Sequence, residues 1–472
     1  MAADALHPRY RLSQAEREML QGTWPIELIE DPARQPRIVD SAVEFIRELL
    51  IGDHVEDFLV LPNGTELLDL SWEASMPEDL QGIIRGCRSA RDFAQRLKES
   101  PAALEKYRAD IEYLDRMRQQ RDVLRKDKHD LGKRISEALR MAEEGLADPA
   151  LLYIAEMRLK KEAPHPVGGE KVKTVCRRDV KDVLGPYSAW TLYWDRYDEG
   201  FFAGGRLSGK GVHIDQVLWS NVGRNFSGYK LVASWPQGKA SKKVGQDFYD
   251  VLFTPPLAEG ELEALRRAAK VVFLRPGDVY LFSGGVAHTV LCVSEEMCLG
   301  AYESLVNLHP KHVELFLHTD DRSGDFCLDT YSMSSRELKD MKDDCMDQLE
   351  DAEEQLGHGG PAAEKEPSRP VSAIWGGIVS RLREDADFQA ALRRQYGEAV
   401  ALCAGDRYFR RHLPRRVLNA ARACLGQRDG DEDVLPPRPK RRRLEGQPPD
   451  SSRRSSSRSY SYSSDHTSGD SA

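Results

Sequence analysis

No stretch of this 472-residue chain approaches the 18 consecutive apolar residues of a membrane-spanning helix, and Met1 to Leu12 show no charged segment leading into an apolar one. The expectation is a protein that is neither membrane-spanning nor secreted. Paired cysteines are missing as well. Cys87, Cys176, Cys292, Cys298, Cys327, Cys345, Cys403 and Cys424 are scattered with no CxxC unit. That pattern speaks against a disulfide framework and a structural zinc, and for free thiols in a reducing compartment. A cationic excess is also absent. The net charge of -9 excludes a protein whose whole surface grips nucleic acid, although it hides a basic C-terminus. Hydrophobic residues make up 40% and charged residues 31%, and the length allows two or three domains with polar extensions.

Residues 1–165 read as a helical N-terminal region. Ser13 and Glu16 fit a capping box. Asp40 is placed to cap a helix on which Val43, Ile46 and Leu50 share a face, with Gly52 just past its end. From Pro101 to Lys161, Leu104, Tyr107, Ile111 and Leu114 recur at helical spacing. The heptad fails at Arg118 and Arg121, so solvated helices fit better than a coiled coil. Between about 180 and 310 the character changes. Aromatic and β-branched clusters at Trp190–Trp194, Tyr229–Trp235, Phe248–Phe253, Val271–Leu274, Val279–Phe282 and Thr289–Val293 read as short strands. Gly204-Gly205, Pro255-Pro256, Pro276-Gly277 and Gly284-Gly285 separate them, with a helix expected from Glu259 to Ala269. The class is α+β, and many short strands with Gly/Pro turns point to a closed sandwich or barrel, of which a double-sheet jelly roll is one solution. The boundaries place this domain at 166–315, a helical extension at 316–356 and a linker at 357–370. A helical region follows at 371–425, then a disordered tail at 426–472. Ser334 and Glu337 form a second capping box, and Leu338, Met341, Cys345, Leu349 and Leu356 trace an apolar stripe behind it.

His213 and Asp215 stand two apart, so on an extended strand their side chains share a face, as two ligands of one metal must. His288 follows 75 residues later, opening another strand. Two imidazoles and a carboxylate form the facial triad that binds Fe(II) and leaves three positions open. A lone HxD occurs by chance and is weak by itself. Lys230 leads into an apolar strand, and a lysine entering a barrel interior is costly unless it meets an anion. The bland alternative is a stem lying on apolar surface with its head in water.

The order and spacing of His213-Ile-Asp215, the Asn221–Lys230 run, Trp235-Pro236 and the Pro276-Gly-Asp…His288 segment resemble the JmjC family of Fe(II)- and 2-oxoglutarate-dependent oxygenases. The resemblance covers roughly residues 180–310. It implies a double-stranded β-helix (cupin-like jelly roll), with His213, Asp215 and His288 as catalytic iron ligands. It further implies that Lys230 anchors the far carboxylate of 2-oxoglutarate. Asn221 falls where some relatives place an amide on the iron-proximal end of that co-substrate. Tyr193 and Ser208 are candidates for a hydroxyl that assists Lys230. Lys210, three before His213, departs from the small or hydroxyl residue that relatives often carry there. The implied reaction oxidises a protein side chain by hydroxylation or N-methyl demethylation. The substrate would be a histone or another nuclear or RNA-processing protein. The alternative is a catalytically inactive scaffold that acts through its helical flanks and Arg-Ser tail.

The remaining signals are addresses or bland. Pro437–Arg443 fits a nuclear import signal, and nucleic-acid contact is the other reading of such a run. The Ser/Arg repeats from Ser451 are phosphorylatable. His309, His312 and His318 read as solvated or core histidines on a helix leaving the barrel rather than as a metal cluster. Asp195, Asp198 and Glu199 read as a solvated loop, with capture of a cationic substrate as the sharper alternative. Whether residues 371–425 make a homodimer interface is left open.

Overall fold

The strands of the middle third are short, nearly continuous apolar runs buried on both faces. The period of two along each strand decides which side chains meet the other sheet and which meet the covering helices and loops. The computed structural model describes residues 8–52, 58–127, 129–164, 171–193, 199–215, 219–317, 335–357 and 372–426. Residues 1–435 form one compact unit, and a second, 436–472, lies outside the described residues. The N-terminal part supplies strands β1 (Arg37–Ile38), β2 (Phe58–Leu61), β3 (Tyr107–Leu114), β4 (Gln120–Asp122) and β5 (Tyr153–Leu159), then the short pair β6 (Ala163–Pro164) and β7 (Lys171–Val172). The middle supplies β8 (Thr191–Tyr193), β9 (Glu199–Gly204), β10 (Gly209–Ile214), β11 (Trp219–Ser227) and β12 (Lys230–Ser234). It continues with β13 (Lys270–Leu274), β14 (Val279–Ser283), β15 (Ala287–Cys292) and β16 (Cys298–Asn307).

From β9 to β16 the chain distributes its strands between two sheets. A ten-stranded sheet runs β1-β2-β14-β11-β16-β9-β5-β3-β4 with β8 beside β16, and a four-stranded sheet runs β10-β15-β12-β13. All pairings except β1 with β2 are antiparallel. Register then sorts the side chains. In the small sheet, Leu231, Ala233, Val271, Phe273, Ala287 and Leu291 face outward onto Trp24, Trp235, Phe253 and Leu265. Val232, Val272 and Leu274 face inward and meet Phe58, Val60, Tyr280 and Phe282 of the large sheet. Phe58 stacks on Phe282 with ring centroids 5.2 Å apart. Each such buried ring stabilises the sandwich by about 1.5–3 kcal/mol. The tight turn into β14 is made by Gly277, whose φ of 87° suits a residue without a Cβ.

Helices cover the outer face of the large sheet. Ala42–Ile51, Ser335–Gly357, Ala373–Glu384, Ala386–Gly405 and Arg415–Cys424 pack around Leu59, Val222, Leu281 and Leu305. Glu78–Ile84, Ala90–Lys98 and Leu131–Glu143 pack on Phe201, Ala203, Leu299 and Ala301. Met341, Cys345 and Leu349 are buried, as their stripe implied. Among the described residues no helix is long and apolar enough to cross a membrane. The seven described cysteines are free thiols.

Several sequence expectations change. The stretch to residue 165 is not all helical, because β1 to β6 lie within it. The helix starting at Pro101 stops at Lys106, and Tyr107–Leu114 is a strand paired with β5. Tyr107 and Ile111 are four apart, a spacing that places two residues on one face of a helix and equally on one face of a strand. Pairing along the open edge of the large sheet decided between them. Arg118, where the heptad failed, sits in the β3–β4 turn with φ of 60°. Phe248–Phe253 is no strand. Phe248 ends the helix Lys239–Phe248, and the aromatic rings of Phe248 and Phe253 meet in the core 5.3 Å apart. The helix expected from Glu259 ends at Arg266. The linker at 358–370, the tail at 427–472, Ser334 of the second capping box, Asp195, Asp198 and His318 lie outside the described residues.

The first capping box is present, with Glu16 N–H donating to Ser13 Oγ and Ser13 N–H to Glu16 Oε2. The helix at Ala42, however, is capped by Ser41, whose Oγ accepts from Glu44 N–H at 3.1 Å, rather than by Asp40. Ser41→Ala is therefore expected to cost about 1 kcal/mol in urea unfolding, and Asp40→Ala almost nothing. Equal losses from both would restore Asp40 as the cap.

Candidate metal centre

His213 lies one residue before the end of β10, and Asp215 follows the strand directly. A register shift between Lys210 and His213 brings His213 opposite His288 of β15, closing the 75-residue gap. The two imidazole centroids are 4.1 Å apart. His213 Nε2 lies 3.8 Å from Asp215 Oδ1, and His288 Nε2 lies 3.6 Å from Asp215 Oδ2. Among the described residues this is the one group of three such side chains whose ligand atoms lie within 4.8 Å of each other.

The tautomers follow from the backbone. His213 Nδ1 meets the Gly211 carbonyl at 2.8 Å, and His288 Nδ1 meets that of Val286 at 3.2 Å. A carbonyl only accepts, so each Nδ1 carries a proton and Nε2 is the ring nitrogen turned toward Asp215 and available to a metal. Backbone-held imidazoles of this kind are how metal-ligating histidines are oriented. Burial, then the neighbouring His288 and Lys210, push the His213 pKa well below its ordinary value and keep the ring neutral. Burial raises the Asp215 pKa, while His288 and the Tyr302 hydroxyl oppose that rise. Two imidazole nitrogens and a carboxylate oxygen that converge on one point are the donor set a cation draws together. The donor set fits Fe(II), and His213, Asp215 and His288 are the residues that would hold it.

Lys230 opens β12 on the inward face, opposite Cys292 and Leu274. It is buried and makes no hydrogen bond or ion pair with any described residue. Its Nζ fills the space beside Gly300, where a Cβ would approach to 2.7 Å. Asn221, the residue the resemblance places near the co-substrate, donates from Nδ2 to Asp215 Oδ2 at 2.9 Å. Ser208 is buried with its hydroxyl donating to the Gly205 carbonyl at 2.7 Å. Tyr193 lies in β8 opposite Leu305, and its side chain falls outside what the structure describes. His312 is buried with Nε2 3.0 Å from Ser283 Oγ, a core histidine as expected.

Three residues had not been singled out. Tyr302 donates its hydroxyl to Asp215 Oδ2 at 3.3 Å, and Ser304 donates to Asn221 Oδ1 at 3.2 Å. Both sit on β16, which is buried along nearly its whole length and gives no local signal. Glu112 on β3 forms an ion pair with Lys210 Nζ, while its Oε2 is buried without a partner. Burial first, against the pull of Lys210, pushes the Glu112 carboxyl up to about 7. The unusual lysine three before His213 was the one hint that a carboxylate waited opposite.

No family model and no curated protein matches the chain. Among solved structures, the ribosomal oxygenase YcfD from Escherichia coli aligns at 12% identity and a TM-score of 0.30, over 76% of this chain and 70% of that one. A YcfD complex with cobalt and 2-oxoglutarate aligns at 12% identity and a TM-score of 0.31, over 76% and 72%. Similarity at that level carries neither fold nor chemistry across, and both rest here on the residues themselves.

Proposed function

We propose that this chain is an Fe(II)- and 2-oxoglutarate-dependent oxygenase built on a double-stranded β-helix. The single observation that carries the reading is the convergence of His213 Nε2, His288 Nε2 and the Asp215 carboxylate inside a sandwich that also buries Lys230 with no hydrogen bond or ion pair to a described residue. The division of β9 to β16 into two sheets supports the jelly-roll assignment: β9, β16, β11 and β14 are neighbours in one, and β10, β15, β12 and β13 in the other.

The chain's own residues do four things in this reaction. His213, Asp215 and His288 hold the metal on one face. Gly211 and Val286 carbonyls hold both imidazoles by Nδ1, leaving Nε2 of each as the nitrogen available to the metal. Lys230 pairs its ammonium with the far carboxylate of 2-oxoglutarate, orienting the keto acid toward the metal. The aromatic wall of Phe58, Tyr280 and Phe282 keeps water from the interior. Bound iron supplies the oxidative chemistry: 2-oxoglutarate and O₂ become succinate and CO₂, and the second oxygen atom enters a substrate C–H bond. We assign the substrate to protein side chains of nuclear partners, on the strength of the basic run Pro437–Arg443.

Purified protein with Fe(II) is expected to convert 2-oxoglutarate to succinate, and the His213→Ala variant is not. Equal turnover by the two, with candidate peptides supplied, would leave a binding module in place of an enzyme. Peptide mass then separates hydroxylation, a gain of one oxygen, from demethylation, a loss of one methylene.

A further inference from the structure

We infer that Asn221, Ser304 and Tyr302 form a positioning network that holds Asp215 as a one-oxygen ligand, and that Asn221 serves the metal's carboxylate rather than the co-substrate. The inference rests on the metal-centre reading above and adds residues to it that no ligand motif contains.

The network comes from the sheet opposite the histidines. Register places Asn221 of β11 against Ser304 of β16, and Tyr302 two residues further along the same inward face. From there Asn221 Nδ2 and the Tyr302 hydroxyl reach Asp215 Oδ2 at 2.9 and 3.3 Å. Two donors on one oxygen use its lone pairs, so Oδ1 is the oxygen left to ligate. A carboxylate bound through one oxygen keeps the other coordination positions of a facial triad open.

The orientation of the Asn221 amide is fixed from behind. Ser304 donates its hydroxyl to Asn221 Oδ1 at 3.2 Å. Reversing the amide would set its carbonyl oxygen against the Asp215 carboxylate, two acceptors facing each other. Asn221 and Ser304 are both buried, so neither replaces a lost partner with bulk water. Burial of a polar pair in a sandwich interior is costly unless it is satisfied, and here its satisfaction ends on the metal's own ligand. Partners of a ligating carboxylate typically shift metal affinity 10- to 100-fold when removed.

The test uses the full chain and Co(II) as the probe, titrated calorimetrically without 2-oxoglutarate. The Co(II) absorption bands report ligand geometry at the same time. Asn221→Ala is expected to weaken Co(II) binding by about 10- to 100-fold. Ser304→Ala and Tyr302→Phe remove one hydroxyl each, guard against a folding failure of the first variant, and are expected to weaken binding by about 3- to 10-fold. Ser304→Thr keeps the hydroxyl and should keep the affinity. At saturating metal, the KM for 2-oxoglutarate should stay within about 2-fold of wild type in all of them. Unchanged Co(II) affinity and bands, with a raised KM in Asn221→Ala, would overturn the inference and return Asn221 to the co-substrate. Wild-type protein that binds Co(II) no better than His213→Ala would overturn the metal centre and the network together.

Discussion

Replacing Lys230 with methionine is expected to move two measurements in opposite directions, weakening 2-oxoglutarate binding while stabilising the metal-free protein. Lys230 is 5% exposed, on the inward face of β12, with no hydrogen bond or ion pair to any described residue. An ammonium in that position loses hydration without gaining a carboxylate partner among the described residues, a cost that folding has to absorb. Methionine has nearly the same length and no charge, so urea unfolding should show a gain of about 1–3 kcal/mol. Removing one partner of a buried charge pair costs about 2–5 kcal/mol of binding, or roughly 30- to 5,000-fold in the Kd for 2-oxoglutarate at the metal-loaded site. Lys230→Arg should not restore binding, because the Nζ already lies where a Cβ on Gly300 would meet it at 2.7 Å. A methionine variant that binds 2-oxoglutarate like wild type would move the anchor elsewhere. One that unfolds more easily would show that Lys230 stabilises the fold by contact.

The burial of Lys230 was legible in the sequence because it is local: a lysine entering an apolar strand 17 residues after a histidine of an HxD pair. His213 and Asp215 were legible for the same reason, since the period of a strand puts both on one face. Pairing of β10 with β15 is not local, and it required the register shift at Lys210–His213 to set His288 opposite His213. Tyr302 and Ser304 were invisible because a strand buried along nearly its whole length does not announce which residue faces a carboxylate on another sheet. Glu112 was hidden by a spacing that a helix and a strand satisfy alike. Phe248 and Phe253 misled in the other direction, since aromatic clustering marks burial before it marks a strand.

The ion pair between Glu112 and Lys210 is expected to make stability depend on pH in a way that two substitutions separate. Glu112 is buried, with one oxygen on Lys210 and the other without a partner. Its pKa rises from 4.5 to about 7, chiefly through burial. A carboxyl whose folded value is raised contributes stability that is fully present below the unfolded value and is lost as pH climbs through the folded one. Wild-type stability should therefore fall between pH 4.5 and 7 on this group's account. Glu112→Gln removes the titration, so its advantage over wild type should widen by about 2 kcal/mol from pH 5 to pH 8. Lys210→Met does the reverse. It leaves the Glu112 carboxylate buried and uncompensated at pH 8, where a loss of about 3 kcal/mol is expected. Most of that loss should vanish at pH 5, where Glu112 holds its proton in both proteins. Urea midpoints at the two pH values decide the matter. A Lys210→Met loss of the same size at both would mean that the lysine, 23% exposed, acts by packing its stem and not by neutralising Glu112.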